Sequence, residues 1–425
     1  MSIKGYCLFA MLHIYCYRKR SVRSGAPVVH RSCGWSSDKG VRDKLTKHIR
    51  YGMVGGSNTA FIGDVHRKAL RFDPRAELVA GCFSTHREKN VATAAVYDLA
   101  EDRVYDDFKT MAVTEAGRAD GIDFVVIATP NVMHYHVAKC FLEAGIDVFC
   151  EKPLCFTNEQ AAELQKLTED RGSLFGVAYA YTGYTMSKVM REMISEGKIG
   201  RVLAVNAEYA QDWLLDELSP DRSDGMDLAV WRTDPKISGI SNCVGDIGTH
   251  IESYVSYVTG LKIRRLLATA DRFGKELDLN ANIIVEYDNG ARGAYWCSQV
   301  AAGHCNGLVV RIYGDGGSLE WRQESPDVLL YAKKGEAPRL INRGTGCIAE
   351  RAGGVSRLPS GHPEGLYVAF ANLYREFLDA IEAKKSGAPK RPFDYPSVAM
   401  GVDGVKFVHA VVESAASDSR WIDID

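Results

Sequence analysis

Three side chains form a set able to move a proton and hold a developing negative charge. They are Lys152 in Glu151-Lys152-Pro153, and Asp246 and His250 in Gly245-Asp246-Ile247-Gly248-Thr249-His250. An ammonium beside a reacting oxygen stabilises it as charge builds, and an imidazole takes or returns a hydroxyl proton. Lys152 precedes a proline, which biases its backbone toward extended geometry and projects the side chain from a strand end. On a helix, positions four apart face one way, so Asp246 and His250 share a side. Ile247, Ile251, Tyr254 and Val258 form a separate apolar stripe. In that geometry Asp246 orients the imidazole. An aspartate at a helix start is ordinarily a cap and a lone histidine ordinarily structural, and spacing alone leaves both readings open.

A second set could cradle phosphate. The run Gly55-Gly56-Ser57-Asn58-Thr59-Ala60-Phe61-Ile62-Gly63 follows an apolar strand and precedes a helix. A dinucleotide fingerprint needs small residues where the backbone bends, where it approaches pyrophosphate, and where helix meets strand. The spacing puts Gly55, Ser57 and Ala60 in those places, with Gly56 beside them. The helix N-terminus adds the charge complement to phosphate. The second strand ends in Phe83-Ser84-Thr85-His86-Arg87, with no acid for ribose hydroxyls. Ser84 and Arg87 are candidates to hold a 2′-phosphate, which tilts the expected cofactor, NAD or NADP, toward NADP.

The elements that must position these residues alternate. The apolar runs IRYGMVGG, AELVAGCFS, IDFVVIATP, IDVFCEKPL and LFGVAYA are separated by helical stretches. Near-continuously apolar strands between helices predict a parallel sheet covered on both faces, and ligands then sit beyond the carboxyl ends of the strands. Those ends are the polar GGSN, FSTH, TPN and EKP. From about Tyr181 the strands alternate apolar and polar residues, as in RVLAVNAEYA, ANIIVEY and ARGAYWCSQV, the last two joined by Asp288-Asn289-Gly290, a hairpin signal. The expected fold class is α/β: a Rossmann-type doubly wound sheet over residues 49–180, then an α+β part over 181–425 with a large, mainly antiparallel, open-faced sheet. Two C-terminal helices, YVAFANLYREFLDAIEAKK and DGVKFVHAVVESA, are expected to pack back on the body.

Composition excludes other classes. The formal charge is −2, but residues 1–48 alone carry ten Lys/Arg against two acids, leaving −10 for the rest. Such an acidic body does not suit nucleic acid. The eleven cysteines are scattered without zinc-ligand spacing, and Cys82, Cys140 and Cys150 lie in apolar runs. No metal and a reducing compartment are expected. The apolar stretch near the N-terminus is too short to span a bilayer, so no membrane partner is expected. Residues 1–48 read as a disordered or targeting extension; the expected location is the cytoplasm, with an organellar signal left open.

The run ATPNVMHYHVAKCFLEAGIDVFCEKPL at 128–154, with the glycine turn before it and GDIGTH after it, resembles the Gfo/Idh/MocA family of oxidoreductases over about residues 49–425. The resemblance implies a dehydrogenase passing a hydride between a sugar, cyclitol or related polyol hydroxyl and nicotinamide, with Lys152, Asp246 and His250 as its catalytic set. It places Lys152 against substrate and nicotinamide ribose, Glu151 against cofactor, and Thr129, Pro130 and Asn131 along the nicotinamide side. Trp231-Arg232 resembles a pair that reaches the cofactor in some members. At Ala178 the chain departs from the Asn that many members carry. Tyr179, Tyr181, Gln211, Asp212, Trp213 and His362 are further candidates for substrate contact. A glycoside hydrolase that uses the dinucleotide transiently, and a non-catalytic sensor of the same fold, stay open as alternatives. An open sheet face needs covering, so a homodimer or homotetramer is expected.

Overall fold

The computed structural model describes residues 48–218, 230–346, 355–388 and 392–424. The N-terminal extension expected over 1–48 therefore lies, but for its last residue, outside the described residues. Five parallel strands, β1 (Ile49–Gly55), β2 (Ala76–Cys82), β3 (Phe124–Ala128), β4 (Asp147–Cys150) and β5 (Phe175–Val177), form a sheet in the order β2-β1-β3-β4-β5. Each strand buries alternate residues on opposite faces. Tyr51, Met53, Phe124, Val126 and Phe149 fill one core cluster; Val54, Val125, Ile127, Val148 and Cys150 fill the other. The first cluster includes Val65, Ala69 and Leu70 of α1 (Phe61–Leu70) and Ala94 and Tyr97 of α2 (Arg87–Tyr97). The second includes residues of α3 (Phe108–Gly117), α4 (Asn131–Glu143) and α5 (Asn158–Arg171).

Beyond α6 (Thr185–Ser195) lies a nine-stranded sheet built from β6 (Val202–Ala210), β7 (Ile263–Asp271), β8 (Asn280–Tyr287), β9 (Arg292–Ser298), β10 (Gly307–Gly314), β11 (Gly317–Arg322), β12 (Val328–Lys333), β13 (Arg339–Asn342) and β14 (Ile422–Asp423). Its order is β13-β12-β11-β10-β6-β9-β8-β7-β14, antiparallel everywhere except between β6 and β9. The hairpin between β8 and β9 turns at Gly290, whose φ of 83° suits a residue without a side chain. One sheet face is covered by α6 and by α9 (Thr249–Thr259), which follows the short helices α7 (Val230–Thr233) and α8 (Pro235–Ser238).

The last helices close the molecule. Phe370, Leu373, Tyr374 and Phe377 of α10 (Leu366–Ser386) join the first parallel-sheet cluster, so α10 serves as a covering helix for strands far upstream. Val398, Val402 and Val405 of α11 (Val398–Ala416) join the second cluster, while Phe407, Val408 and Val411 join the core of the large sheet. Among the described residues no helix is long and apolar enough to cross a membrane.

Candidate active site

The glycine turn is bent as a dinucleotide loop requires, with φ of 77° at Gly55 and 70° at Gly56. A Cβ on Gly55 would lie 2.5 Å from the Ala128 carbonyl oxygen, so β1 passes hard against the end of β3. The close helix–strand approach falls to Gly56 and Gly63: a Cβ on Gly63 would sit 2.2 Å from the Gly56 Cα. This corrects the spacing argument that gave that role to Ala60. Ala60 is the residue before α1 and brings no side-chain cap, so the first-turn amides keep the hydrogen-bonding capacity a pyrophosphate uses. Ser57 is buried and its Oγ lies 3.3 Å from Thr59 Oγ1. Thr129 Oγ1 is buried without a partner at the end of β3, an orphan that a bound ligand would satisfy. Pro130 precedes α4 and Asn131 opens it. Together these features fit a bound dinucleotide.

Ser84 and Arg87 do not form the expected phosphate clamp. The Arg87 guanidinium donates to the Val104 carbonyl at 3.2 Å and to the Asp106 carboxylate at 3.3 Å, while Ser84 Oγ accepts from the His86 amide. A carboxylate there opposes a second phosphate.

At the carboxyl end of β4, Lys152 reaches across to the large-sheet side. Its Nζ donates at 2.8 Å to both the main-chain oxygen and Oδ1 of Asp246. Asp246 lies in a π turn, Val244–Gly248, that runs directly into α9. Asp278 fixes the start of that turn: its carboxylate accepts from the Asn242 amide at 2.9 Å and the Val244 amide at 2.9 Å. Arg232 Nη1 donates to Asp246 Oδ1 at 2.5 Å, and Gln299 Nε2 donates to Oδ2 at 2.9 Å. Gln299 is itself held by Asn242 Nδ2 at 2.7 Å. Burial would lift the Asp246 pKa, but the charges of Lys152 and Arg232 reverse this and hold it well below the carboxylate range.

His250 stands beside this cluster with the rings of Tyr181, Tyr179 and Tyr209 at 4.7, 5.9 and 6.1 Å. Its Nδ1 is buried with no hydrogen-bond partner. The expected bond from Asp246 to the imidazole is absent: the carboxylate is oriented by Lys152, Arg232 and Gln299 instead. The π turn, with its i→i+5 bonding, breaks the α-helical register on which the four-residue argument relied. Asp246 acts on His250 through space alone. Burial drives the imidazole pKa well below its ordinary value, Lys152 pushes the same way and Asp246 opposes. The ring is neutral at pH 7.

The remaining candidates divide. Tyr181 and Tyr209 share a hydrogen bond at 2.5 Å, and Tyr209 donates to Asn306 Oδ1 at 2.6 Å. Gln211 donates to the same oxygen at 2.8 Å and accepts from Trp213 Nε1 at 2.9 Å. This polar wall begins at the ring packed on His250. Tyr179 is buried and bonded to Thr249 Oγ1 at 2.9 Å, so it braces the start of α9 and has no surface to offer a substrate. Asp212 accepts from the Gly303 amide, tying two loops together. His362 is exposed in a loop whose carbonyl is bound by Arg343, and it makes no described contact with the Lys152–Asp246 cluster. The Trp231 side chain lies outside the described residues. Sequence reasoning missed Gln299 and Asn306, which sit in no motif. It also missed His66, a buried histidine on α1 whose Nε2 lies 2.9 Å from Glu151 Oε1.

Glu151 is turned inward. Besides His66, its Oε2 accepts from the Lys152 amide at 3.1 Å. His134 clips the adjoining loops, with Nδ1 at 2.7 Å from the Pro153 carbonyl and Nε2 at 3.0 Å from that of Thr129.

A glycine-turned parallel sheet with a lysine–aspartate–histidine cluster beyond its strand ends defines a nucleotide-dependent oxidoreductase. Residues 49–179 match the model of an oxidoreductase family with an NAD-binding Rossmann fold, and residues 188–320 match that of the GFO/IDH/MocA C-terminal domain. An uncharacterised oxidoreductase of Bacillus subtilis is 35% identical over 388 residues, covering 89% of this chain and 98% of its own. Levoglucosan dehydrogenase of Pseudarthrobacter phenanthrenivorans is 26% identical over 413 residues, 89% of this chain and 98% of its own. The crystal structure of an inositol dehydrogenase homologue from Azotobacter vinelandii, complexed with NADH and myo-inositol, superposes with a TM-score of 0.80 at 34% identity, covering 89% of this chain and 98% of that one. The chain belongs to the Gfo/Idh/MocA family of NAD(P)-dependent oxidoreductases.

Proposed function

We propose that this protein oxidises a secondary hydroxyl of a cyclitol or sugar, with His250 as the proton acceptor and Lys152 stabilising the oxygen. The observation that carries this reading is the neutral His250 imidazole beside an ammonium anchored on Asp246. An ammonium has three N–H donors, and Asp246 occupies two of them. The third is available to a substrate oxygen. Tyr181 and the Gln211 and Asn306 amides, braced from behind by Tyr209, suit the neighbouring hydroxyls of a polyol. Gly55, Gly56, Ser57, Ala60 and Thr129 to Asn131 would hold the dinucleotide, Glu151 acting from behind Lys152 and Arg232 fixing Asp246. The nicotinamide, when bound, supplies the hydride acceptor. The Asp106 carboxylate on Arg87 favours NAD over NADP.

In this reading residues 49–180 form the dinucleotide part and 181–425 the substrate and assembly part. The ladder Ile284–Ala294–Asn206–Arg311–Glu320–Leu330–Leu340 crosses the open sheet face. Exposed Ile284, Tyr313 and Leu340 on that face support a homodimer or homotetramer assembled there. The seven described cysteines are all free, which suits a reducing compartment such as the cytoplasm. The test is absorbance at 340 nm with NAD⁺ and, separately, NADP⁺ against cyclitols, hexoses, pentoses and anhydrosugars. The expected result is NAD⁺ reduction with one class at least tenfold faster than NADP⁺ reduction. Tight NAD⁺ binding with silence across the panel would remove the dehydrogenase reading.

A further inference from the structure

Behind Lys152 lies a buried hydrogen-bonded chain that the proposed chemistry does not use. Tyr374 on α10 places its hydroxyl 2.5 Å from His66 Nδ1. His66 Nε2 lies 2.9 Å from Glu151 Oε1, and Glu151 Oε2 accepts from the Lys152 amide. The three side chains come from three elements: α10, the buried face of α1, and the end of β4. His66 is fully buried, packed edge-on against Phe370 at 5.0 Å and Phe149 at 6.2 Å. One protonation pattern satisfies every atom: the Tyr374 hydroxyl donates to Nδ1, and Nε2–H donates to the carboxylate. Burial alone would raise the Glu151 pKa, but the hydrogen bond from His66 and the nearby Lys152 ammonium lower it, so the carboxylate stays ionised. A buried charge fixed at both oxygens holds its neighbours in one arrangement, whereas one fixed at a single oxygen lets them swivel.

We propose that His66 is a positioning residue: by fixing Glu151 it holds the Lys152 main chain so that the ammonium reaches Asp246, and it links that alignment to α1, the helix opened by the glycine turn. The proposal rests on the role given to Lys152 above. Its consequence is that α1 and the reacting lysine move as one body. A shift at the turn, such as a bound pyrophosphate would bring, passes to Lys152 through one imidazole.

Two substitutions separate positioning from packing. In His66→Gln the amide nitrogen takes the approximate place of Nε2 and keeps the bond to Glu151. In His66→Asn the shorter side chain reaches toward Tyr374 and leaves Glu151 unbound. The first measurement is acetylation of Lys152 by acetic anhydride in the full-length protein, quantified by mass spectrometry. The second is kcat, KM and the NAD⁺ dissociation constant with the best polyol from the panel. We expect His66→Asn to raise Lys152 labelling at least threefold and lower kcat about tenfold or more, with NAD⁺ affinity within about threefold. His66→Gln should stay within about threefold of the parent in both. Equal behaviour of the two variants, whether both impaired or both unimpaired, overturns the proposal. If His66→Asn does not fold, Tyr374→Phe removes the hydroxyl that holds the imidazole toward Glu151 and should raise Lys152 labelling; unchanged labelling there overturns it too. Labelling needs no substrate, so a parent enzyme silent on every polyol would sink the proposed function while leaving this test intact.

Discussion

In the proposed reaction Lys152 divides its three donors between anchorage on Asp246 and the substrate oxygen, and that division sets what its loss would do. Lys152→Met keeps much of the apolar stem but removes the charge on the reacting oxygen. We expect kcat to fall by roughly 10²–10⁴-fold with NAD⁺ affinity retained, measured by steady-state kinetics and fluorescence titration. A variant holding more than about a tenth of parent kcat would rule Lys152 out of this role. Lys152 was legible as a strand-end residue facing the ligand side, whereas its bond to the aspartate of GDIGTH was not read and only the resemblance put the two in one site. The missing Asp246–His250 bond was not legible. A sequence spacing of four carries no mark of a π turn, and the partners that claim Asp246 lie far away in the chain at Lys152 and Gln299. His66 was hidden for a similar reason: on α1 it is one more buried position, and its partner Tyr374 lies 308 residues on.

At the scale of elements, α9 carries His250 at its start and Glu252 one step further, and the second has its own pH signature. Glu252 is 6% exposed, with Oε2 unpartnered. Its pKa is pushed up to about 8 by burial and by Asp403, against Lys262. The folded protein therefore holds a proton that the unfolded chain releases above about pH 4.5. Its contribution is fully present below that value and is lost as pH rises toward 8. Glu252→Gln should leave stability near pH 5 little changed and raise it at pH 8 by up to about 4 kcal/mol, read from urea denaturation at both values. A gain of equal size at both pH values would show that ionisation is not the cause. The strands and long helices of this fold were readable because burial imposes periods of 2 and 3.6 on the sequence. Pairing of β6 with β9 in parallel inside an otherwise antiparallel sheet was not, since both strands show the same alternation whichever way the neighbour runs.

Among the described residues one wide sheet face carries no covering layer, and the proposed assembly rests on that face. Sedimentation velocity at micromolar concentration should give a dimer or larger species, and Ile284→Asp should shift it toward monomer. A monomeric parent protein would contradict assembly through the sheet. The other large face, on the parallel sheet, is covered by α10, and that closure comes late. Tyr51, Phe124 and Phe149 are complete when β5 is made, yet the helix that shields them begins only at Leu366. At ~5–20 residues per second, synthesis leaves the part of this apolar surface that α1 and α2 do not cover exposed for roughly ten to forty seconds. The nascent chain therefore passes through an interval in which its nucleotide half is nearly finished and still adhesive.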